Sequence, residues 1–574
     1  MTDRDEIGLS RREVVKGTGA VAVTLAAATW PASASLAADG QTVTGIVFED
    51  RSHAGRRQAG DKGIAGVLVS NGREIAKTDG EGRYTLPIED GRVIFVIKPT
   101  GYAVPLDENN LPRFFYIHQP EGSPADLNLH FRGIAPTGPL PASVDFPLRK
   151  TDEASSFDVI MFTDPQPESD VEVSFIRDAV VNRVIGMKAA FGITTGDLMF
   201  DDLSLYSRYN RIIGQIGLPW YSIGGNHDLN FEARDRGFSR ETFKRVFGPA
   251  YYAFEYGGAV FIMLDNVDYL GGNAAKPRES GKYEGRFDDK QLGFVANLLK
   301  EVPTDKLVVA CMHIPLRTYL GPDDPVVSTA NARALLELLS GRPNTVSFSG
   351  HTHTTEHHYF GAEDGFTGAG PHHHHVMTAV CGSWWSGPFD HCGIPVADSR
   401  DGTPNGFHVL SVAGNRYTTR FQPANEPNAR QMRIMLDSEF HRAGKEIYRD
   451  FRMGQLLGSP IAQENVYATE VVVNLFDGGP RSTVEYRIAN RPAVQMARTV
   501  RPDPFVEEVY ARNVATKKPW VNAEPCSHLF VARLPGDLEA GTHCLKVRAV
   551  DEYGRTHDDN LIVEVTGADM RDKS

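Results

Sequence analysis

Five short clusters of metal-ligating residue types stand in order between Asp164 and His353. They are Thr163-Asp164-Pro165-Gln166, Gly196-Asp197, Gly225-Asn226-His227-Asp228, His313 and Gly350-His351-Thr352-His353. Nearly every one follows a short apolar run, the pattern of a buried strand that ends at a site. Donors delivered by several strand ends suit a hydrolytic centre built on two metal ions. Two such ions need about eight protein ligands, and one carboxylate can bridge both. No cluster is specific alone: Gly-Asn-His-Asp makes a turn, and His-x-His is common. The order of all five, each at a plausible strand end, carries the inference.

Taken together, the clusters resemble the calcineurin-like metallophosphoesterases. That family's pattern is Asp-x-His, Gly-Asp, Gly-Asn-His-Asp/Glu, a lone His, then Gly-His-x-His. The resemblance covers about residues 155–422, and four of the five motifs fit. The first departs, with Gln166 where most members have His. An amide oxygen is a neutral donor that holds transition metals less strongly than an imidazole nitrogen.

The resemblance implies a binuclear metal-dependent phosphoesterase. It would hydrolyse a phosphomonoester or phosphodiester by a metal-bound hydroxide. Asp164, Gln166, Asp197 and His353 would hold one ion, and Asp197, Asn226, His313 and His351 the other. Asp197 would bridge them. The ions would be divalent or trivalent: iron, manganese or zinc. His227 would face the substrate, stabilising the phosphoryl group or protonating the leaving oxygen. Asp228 either holds the His227 tautomer or caps a turn. Asp201 and Asp202 either cap a helix beginning near Leu203 or reach a ligand's hydrogen-bond network. The alternative function is a non-catalytic cell-envelope binding protein on a degenerate phosphoesterase scaffold.

The elements that must position these residues alternate. Apolar strands enter each motif, with helical segments at 171–190, 203–215, 288–300 and 328–339 between them. The expected fold is α/β, a layered metallophosphoesterase-type β-sandwich flanked by helices, over residues 151–425. An accessory all-β domain precedes it at 41–133, where alternating strands are separated by turns such as Asn71-Gly72. It resembles the prealbumin-like modules of exported enzymes. Residues 134–150 are rich in Pro, Gly, Ala and Ser and read as a linker. A second all-β domain is expected at 460–566. At 574 residues the chain is too long for one core.

Residues 1–37 read as an export signal of twin-arginine type. Ser10-Arg11-Arg12 precedes an apolar stretch from Gly17 to Ala28, with cleavage options after Ala34 or Ala37. The expected localisation is periplasmic or extracellular, with the export machinery as a partner. That apolar run is too short to span a bilayer, so no transmembrane span is expected in the mature chain. The formal net charge is −13, and the first 37 residues contribute four basic and four acidic groups. An acidic surface disfavours general nucleic-acid binding. The expected substrate is a small-molecule or envelope phosphoester.

Five cysteines are few for an exported chain of this size. Cys311 reads as a core residue, whereas Cys381 with Cys392 and Cys526 with Cys544 are disulfide candidates. The segment Thr354–His375 holds His357, His358 and His372 through His375, and reads as a mobile polar loop. Trp384 and Trp385, bracketed by Ser and Gly, either wall the site and bind substrate or fill space between domains.

Overall fold

The computed structural model describes residues 41–273, 276–424, 426–437 and 460–567. The expected export signal lies outside the described residues. Two sheets form the centre of the chain. One has five strands in the order Trp220–Ile223, Phe191–Thr195, Ser156–Phe162, Gly406–Ala413 and Arg416–Pro423. Its first three strands run parallel and its last two antiparallel. The other has six strands: Tyr252–Tyr256, Ala259–Met263, Leu307–Cys311, Thr345–Ser349, His372–Val376 and Glu356–Phe360.

Phe191–Thr195, Ala259–Met263 and Leu307–Cys311 are buried along their whole length. That is why they read as continuous apolar runs rather than alternating ones. The sheets face each other through aromatic contacts, such as Phe191 on Phe261 with ring centroids 5.1 Å apart. Helices cover the outer faces. Asp289–Glu301 starts on Asp288, whose carboxylate accepts from the Gln291 N–H. Ala332–Leu339 buries Leu335, Leu336 and Leu339. The helical run expected at 171–190 ends earlier, at Val184, after a π-type turn over Ile176–Val181.

Residues 42–150 build two four-stranded sheets. The stretch expected as linker contributes to them: Phe146–Lys150 pairs in parallel with the end of Thr42–Glu49. Its Pro- and Gly-rich first part hid a strand whose own pattern is short. Beyond the central sheets, strands from Met432–Asp437 to Thr556–Thr566 form two further sheets of four and five strands. A nine-residue helix, Pro504–Arg512, interrupts them, with Asp503 as its N-cap and Pro504 in its first turn. Among the described residues no helix is long and apolar enough to cross a membrane.

Two further sequence expectations are corrected. The His-rich segment is not a mobile loop. Glu356–Phe360 and His372–Val376 are paired strands of the six-stranded sheet, and His357 and His372 to His375 are buried. Histidine lacks the apolar signature of a core strand, so periodicity alone misassigns it. Neither cysteine pair is a disulfide. All five cysteines are free, and each expected pair joins a buried residue, Cys381 or Cys526, to an exposed one, Cys392 or Cys544.

Candidate metal centre

The five clusters meet at the ends of strands that the sequence spreads over almost two hundred residues. Asp164 and Gln166 follow Ser156–Phe162, Asp197 follows Phe191–Thr195, and Asn226 and His227 follow Trp220–Ile223. His313 follows Leu307–Cys311, and His351 and His353 follow Thr345–Ser349. Parallel pairing places these ends side by side. The loops are laced together by main-chain bonds. The Asp164 N–H donates to Gly196 O at 3.2 Å, Gln166 N–H to Asp197 O at 3.1 Å, and Gly350 N–H to His313 O at 3.0 Å.

This convergence strains the backbone. Among the described residues, twelve non-glycine positions have positive φ, and eight of them are Asp164, Gln166, Asp197, Asp201, His351, His353, Trp384 and Trp385. Left-handed conformations cost such residues free energy and persist where surroundings over-determine them. Gly196 and Gly225 answer a different need. A Cβ on Gly196 would collide with the His313 ring, and one on Gly225 with the Asp197 carboxylate. Both motifs need glycine so that ligands can approach this closely.

The donor atoms of Asp164, Asp197, Asn226, His313, His351 and His353 face one another, all in buried residues except the partly exposed His351, whereas Gln166 turns its amide nitrogen toward Asp197 and its Oε1 toward Cys381 Sγ. Asp197 Oδ2 lies 3.2 Å from His313 Nε2 and accepts from the Gln166 amide at 3.1 Å. Its Oδ1 accepts from the His227 N–H at 2.9 Å. His313 Nε2 also lies 3.0 Å from Asn226 Oδ1 and 3.2 Å from His351 Nδ1. His353 Nε2 stands 3.7 Å from Asp164 Oδ1, and Asp164 accepts from the His351 N–H at 3.0 Å. All seven expected ligands thus join one contiguous group.

The residues fit a metal centre on two grounds. Each histidine spends one ring nitrogen on a carbonyl: His313 Nδ1 on Thr195 O at 3.0 Å, His351 Nε2 on Val326 O at 2.9 Å, and His353 Nδ1 on Gly382 O at 2.5 Å. A carbonyl can only accept, so those nitrogens carry the proton. The other nitrogen of each ring turns into the site and, when unprotonated, aims a lone pair there, the arrangement of metal-bound imidazole. The donor separations also match. Ligand atoms about 2.0 Å from a tetrahedral ion stand roughly 3.3 Å apart, and Asp197 Oδ2, Asn226 Oδ1 and His351 Nδ1 each stand 3.0–3.2 Å from His313 Nε2.

Electrostatics follow from burial. Burial raises the Asp164 carboxyl to about 6, aided by the nearby Asp197 charge. Burial would also raise Asp197, but the His313 and His227 rings outweigh it and hold Asp197 well below the usual range. Burial likewise pushes the His351 and His353 imidazoles down to about 3, so both are neutral.

His227 sits beside this group with its side chain 24% exposed. Its Nδ1 lies 2.7 Å from Asp201 Oδ1. Burial lowers its pKa, but the Asp197 and Asp201 carboxylates outweigh that and raise it to about 9. Asp228 does not hold this ring. Its oxygens accept from the N–H groups of Leu198, Met199 and Gly225 and from the Tyr206 hydroxyl. The sequence placed Asp228 next to His227, but the turn sends its side chain back beneath the motif. Asp202 is the cap of the following turn, accepting from Ser204 N–H.

The tryptophans divide. Trp385 is 3% exposed, and its indole N–H donates to Pro165 O at 2.9 Å, bracing the first motif from behind. That placement corrects its expected contact with substrate. Trp384 stacks on His353 with centroids 3.9 Å apart, and its buried indole nitrogen has no hydrogen-bond partner. Val506, Val509, Tyr510 and Val521 of the C-terminal region form the apolar cluster on which Trp384 packs.

Sequence reasoning missed three features. Arg240, buried, donates to Gly224 O, Gly225 O and Asp228 O and pairs with Asp265, clamping the Gly-Asn-His-Asp turn. A lone arginine at a helix start carries no motif that would have flagged it. Phe200 stacks on His227 at 4.7 Å and Trp520 stacks on Phe200 at 5.7 Å, extending an aromatic wall away from the centre. Only the fold brings Trp520 there.

Three family models match the chain. Residues 175–355 match the calcineurin-like phosphoesterase model, which takes in Asp197, Asn226, His227, His313, His351 and His353 but begins after Asp164 and Gln166. Residues 51–133 match the N-terminal domain of calcineurin-like phosphoesterase, and residues 374–557 match the C-terminal domain. No curated protein matches the chain. Among solved structures, a purple acid phosphatase from yellow lupin (Lupinus luteus) seeds is 11% identical, with 63% of this chain and 68% of that chain covered. Its TM-score of 0.34 is too low to bear on function. With the core domain and both companion domains of one family following each other along its length, the chain belongs to the calcineurin-like phosphoesterases.

Proposed function

We propose that this protein is an exported phosphoesterase with a binuclear metal centre, acting on a phosphomonoester or phosphodiester. The observation that carries the reading is the single buried group in which Asp197 lies among His313, Gln166 and the His227 N–H, with Asn226, Asp164, His351 and His353 around it. Asp164, Gln166, Asp197 and His353 would hold one ion, and Asp197, Asn226, His313 and His351 the other. Two bound ions of iron, manganese or zinc would supply positive charge to the phosphoryl oxygens and lower the pKa of a coordinated water.

The remaining steps belong to the chain's own residues. His227 stands at the open side of the group, and its carboxylate neighbours favour its protonated form. It would stabilise the phosphoryl oxygens and protonate the leaving oxygen at Nε2, while Asp201 accepts from Nδ1 and fixes the ring. Trp384, partly exposed beside His353, would offer a substrate an apolar edge. The position of His227 beside a complete donor set weighs against a non-catalytic binding protein. Export rests on Arg11-Arg12 and the apolar run behind them.

The test is turnover of an aryl phosphomonoester and an aryl phosphodiester by protein stripped with chelator and reloaded with manganese, iron or zinc. Metal-dependent hydrolysis of either supports the reading. Bound metal without turnover of either ester points to the binding-protein alternative.

A further inference from the structure

The strand His372–Val376 alternates between two environments. His372 and His374 point to one face, where hydroxyls meet their rings. Thr345 and Ser347 meet the nitrogens of His372, and Ser347 and Ser349 those of His374, all within 2.7–3.1 Å. Those two rings are fully satisfied. His373 and His375 point to the opposite face, toward a carboxylate. His375 lies directly opposite His357 of the neighbouring antiparallel strand, so both rings share that face. Across from them His408 projects from Gly406–Ala413 of the other sheet, its ring 4.9 Å from that of His375.

Asp477, in the turn after Glu470–Leu475, reaches into this space from the C-terminal region. Its Oδ1 lies 3.0 Å from His375 Nε2, 3.2 Å from His357 Nε2 and 3.3 Å from His408 Nε2. All three rings are fully buried. Hydrogen bonding does not account for this geometry. One carboxylate oxygen has two lone pairs, yet three nitrogens crowd Oδ1 while Oδ2 has no partner. His375 Nε2, although the nearest, is out of line for a hydrogen bond and is itself unpartnered.

We propose that His357, His375, His408 and Asp477 form a buried zinc site that fastens the two central sheets to the C-terminal region. The cluster shares no residue with the phosphoesterase centre and does not depend on that reading. Three imidazole nitrogens and one carboxylate oxygen are a zinc donor set, and ligands at about 2.0–2.1 Å stand roughly 3.3 Å apart on a tetrahedron. The observed separations from Asp477 Oδ1 are 3.0–3.3 Å. The ligand atoms of His357, His375 and Asp477 all lie within 4.8 Å of one another; His408 meets this group through Asp477 Oδ1 and would complete the shell by a shift of its ring.

Outer contacts orient the rings for the same task. His357 Nδ1 lies 2.9 Å from His373 Nε2, and His373 Nδ1 lies 2.8 Å from the Tyr417 hydroxyl. A proton on each Nδ1 completes that chain and leaves the His357 Nε2 lone pair for the ion. His375 Nδ1 has Thr419 Oγ1 at 3.5 Å. Four donors around a buried position leave no opening for substrate, so the role is structural.

The experiment measures zinc in three purified proteins after zinc loading and removal of loosely held ions: the parent, Asp477→Asn, and Asp477→Asn with His375→Gln. Crystals of the parent are examined at the zinc absorption edge. The proposal expects roughly one zinc fewer per chain in both variants, with a lower melting temperature. It also expects an anomalous peak among His357, His375, His408 and Asp477 in the parent. The peak keeps the test decisive if the variants fail to fold. Zinc-loaded parent crystals without that peak, or a folded Asp477→Asn protein holding as much zinc as the parent, would overturn it. The cluster would then be a buried imidazolium–carboxylate network.

Discussion

His227 Nδ1 meets Asp201 Oδ1 at 2.7 Å, although Asp228 is its neighbour in sequence. This pairing orients the ring and, after the Asp197 charge, favours its protonated form. His227→Ala should keep its metal and lose roughly 10²–10⁴-fold in kcat, the range of a general acid or base. Asp201→Asn should lose about 10–100-fold, the range seen for partners of metal-bound imidazoles, with KM nearly unchanged. Steady-state kinetics with metal analysis on both variants checks this. Metal loss in His227→Ala would make that residue a ligand instead.

The clamp between Arg240 and Asp265 should govern acid stability. Burial raises the Asp265 carboxyl, but Arg240 and Arg236 outweigh it and hold the folded pKa below the unfolded value. A depressed folded pKa contributes stability that is present above the unfolded value of about 3.9 and is lost as pH falls through the folded one. The parent should therefore lose stability below about pH 4 more steeply than Asp265→Asn. At neutral pH, Arg240→Met should cost about 3–5 kcal/mol, since it leaves Asp265 buried without its partner. Denaturant unfolding across pH measures both effects. Parallel acid limbs for parent and Asp265→Asn would contradict the assignment.

Gln166 donates to Asp197 at 3.1 Å and lies at φ 44° beside the other donors. Replacing its amide with imidazole should tighten one ion and shift preference away from manganese, because nitrogen donors favour later transition metals. Metal titration of Gln166→His against the parent checks this. Identical stoichiometry, affinity and preference would mean Gln166 is not a ligand.

Arg11→Lys with Arg12→Lys should block export of the precursor while leaving the folded enzyme active in cell extracts. Fractionation with an activity assay reads the outcome. Normal export of the double variant would point to an ordinary secretion signal.

The convergence of these residues was legible because each sits at a strand end, where a local run of apolar residues announces it. Asp164, Asp197, Asn226, His313, His351 and His353 all carry that signal. Residues that act across the fold did not. Arg240 grips three carbonyls of a turn that precedes it by more than ten residues, and Trp520 reaches the His227 wall from the C-terminal region. Adjacency misled in one case, since the turn at Gly225–Asp228 points His227 and Asp228 in opposite directions. The His372–Val376 strand was hidden by composition: its burial rests on hydroxyl and carboxylate partners, which hydropathy does not register.

The most direct test is metal analysis of Asp197→Asn beside the parent. Asp197 stands between the two groups of ligands, so one substitution should unload both. The variant should hold about two metal ions fewer per chain, with hydrolysis of aryl phosphoesters abolished. An Asp197→Asn protein that keeps the parent's metal content and near-normal turnover would contradict a binuclear centre bridged at this residue.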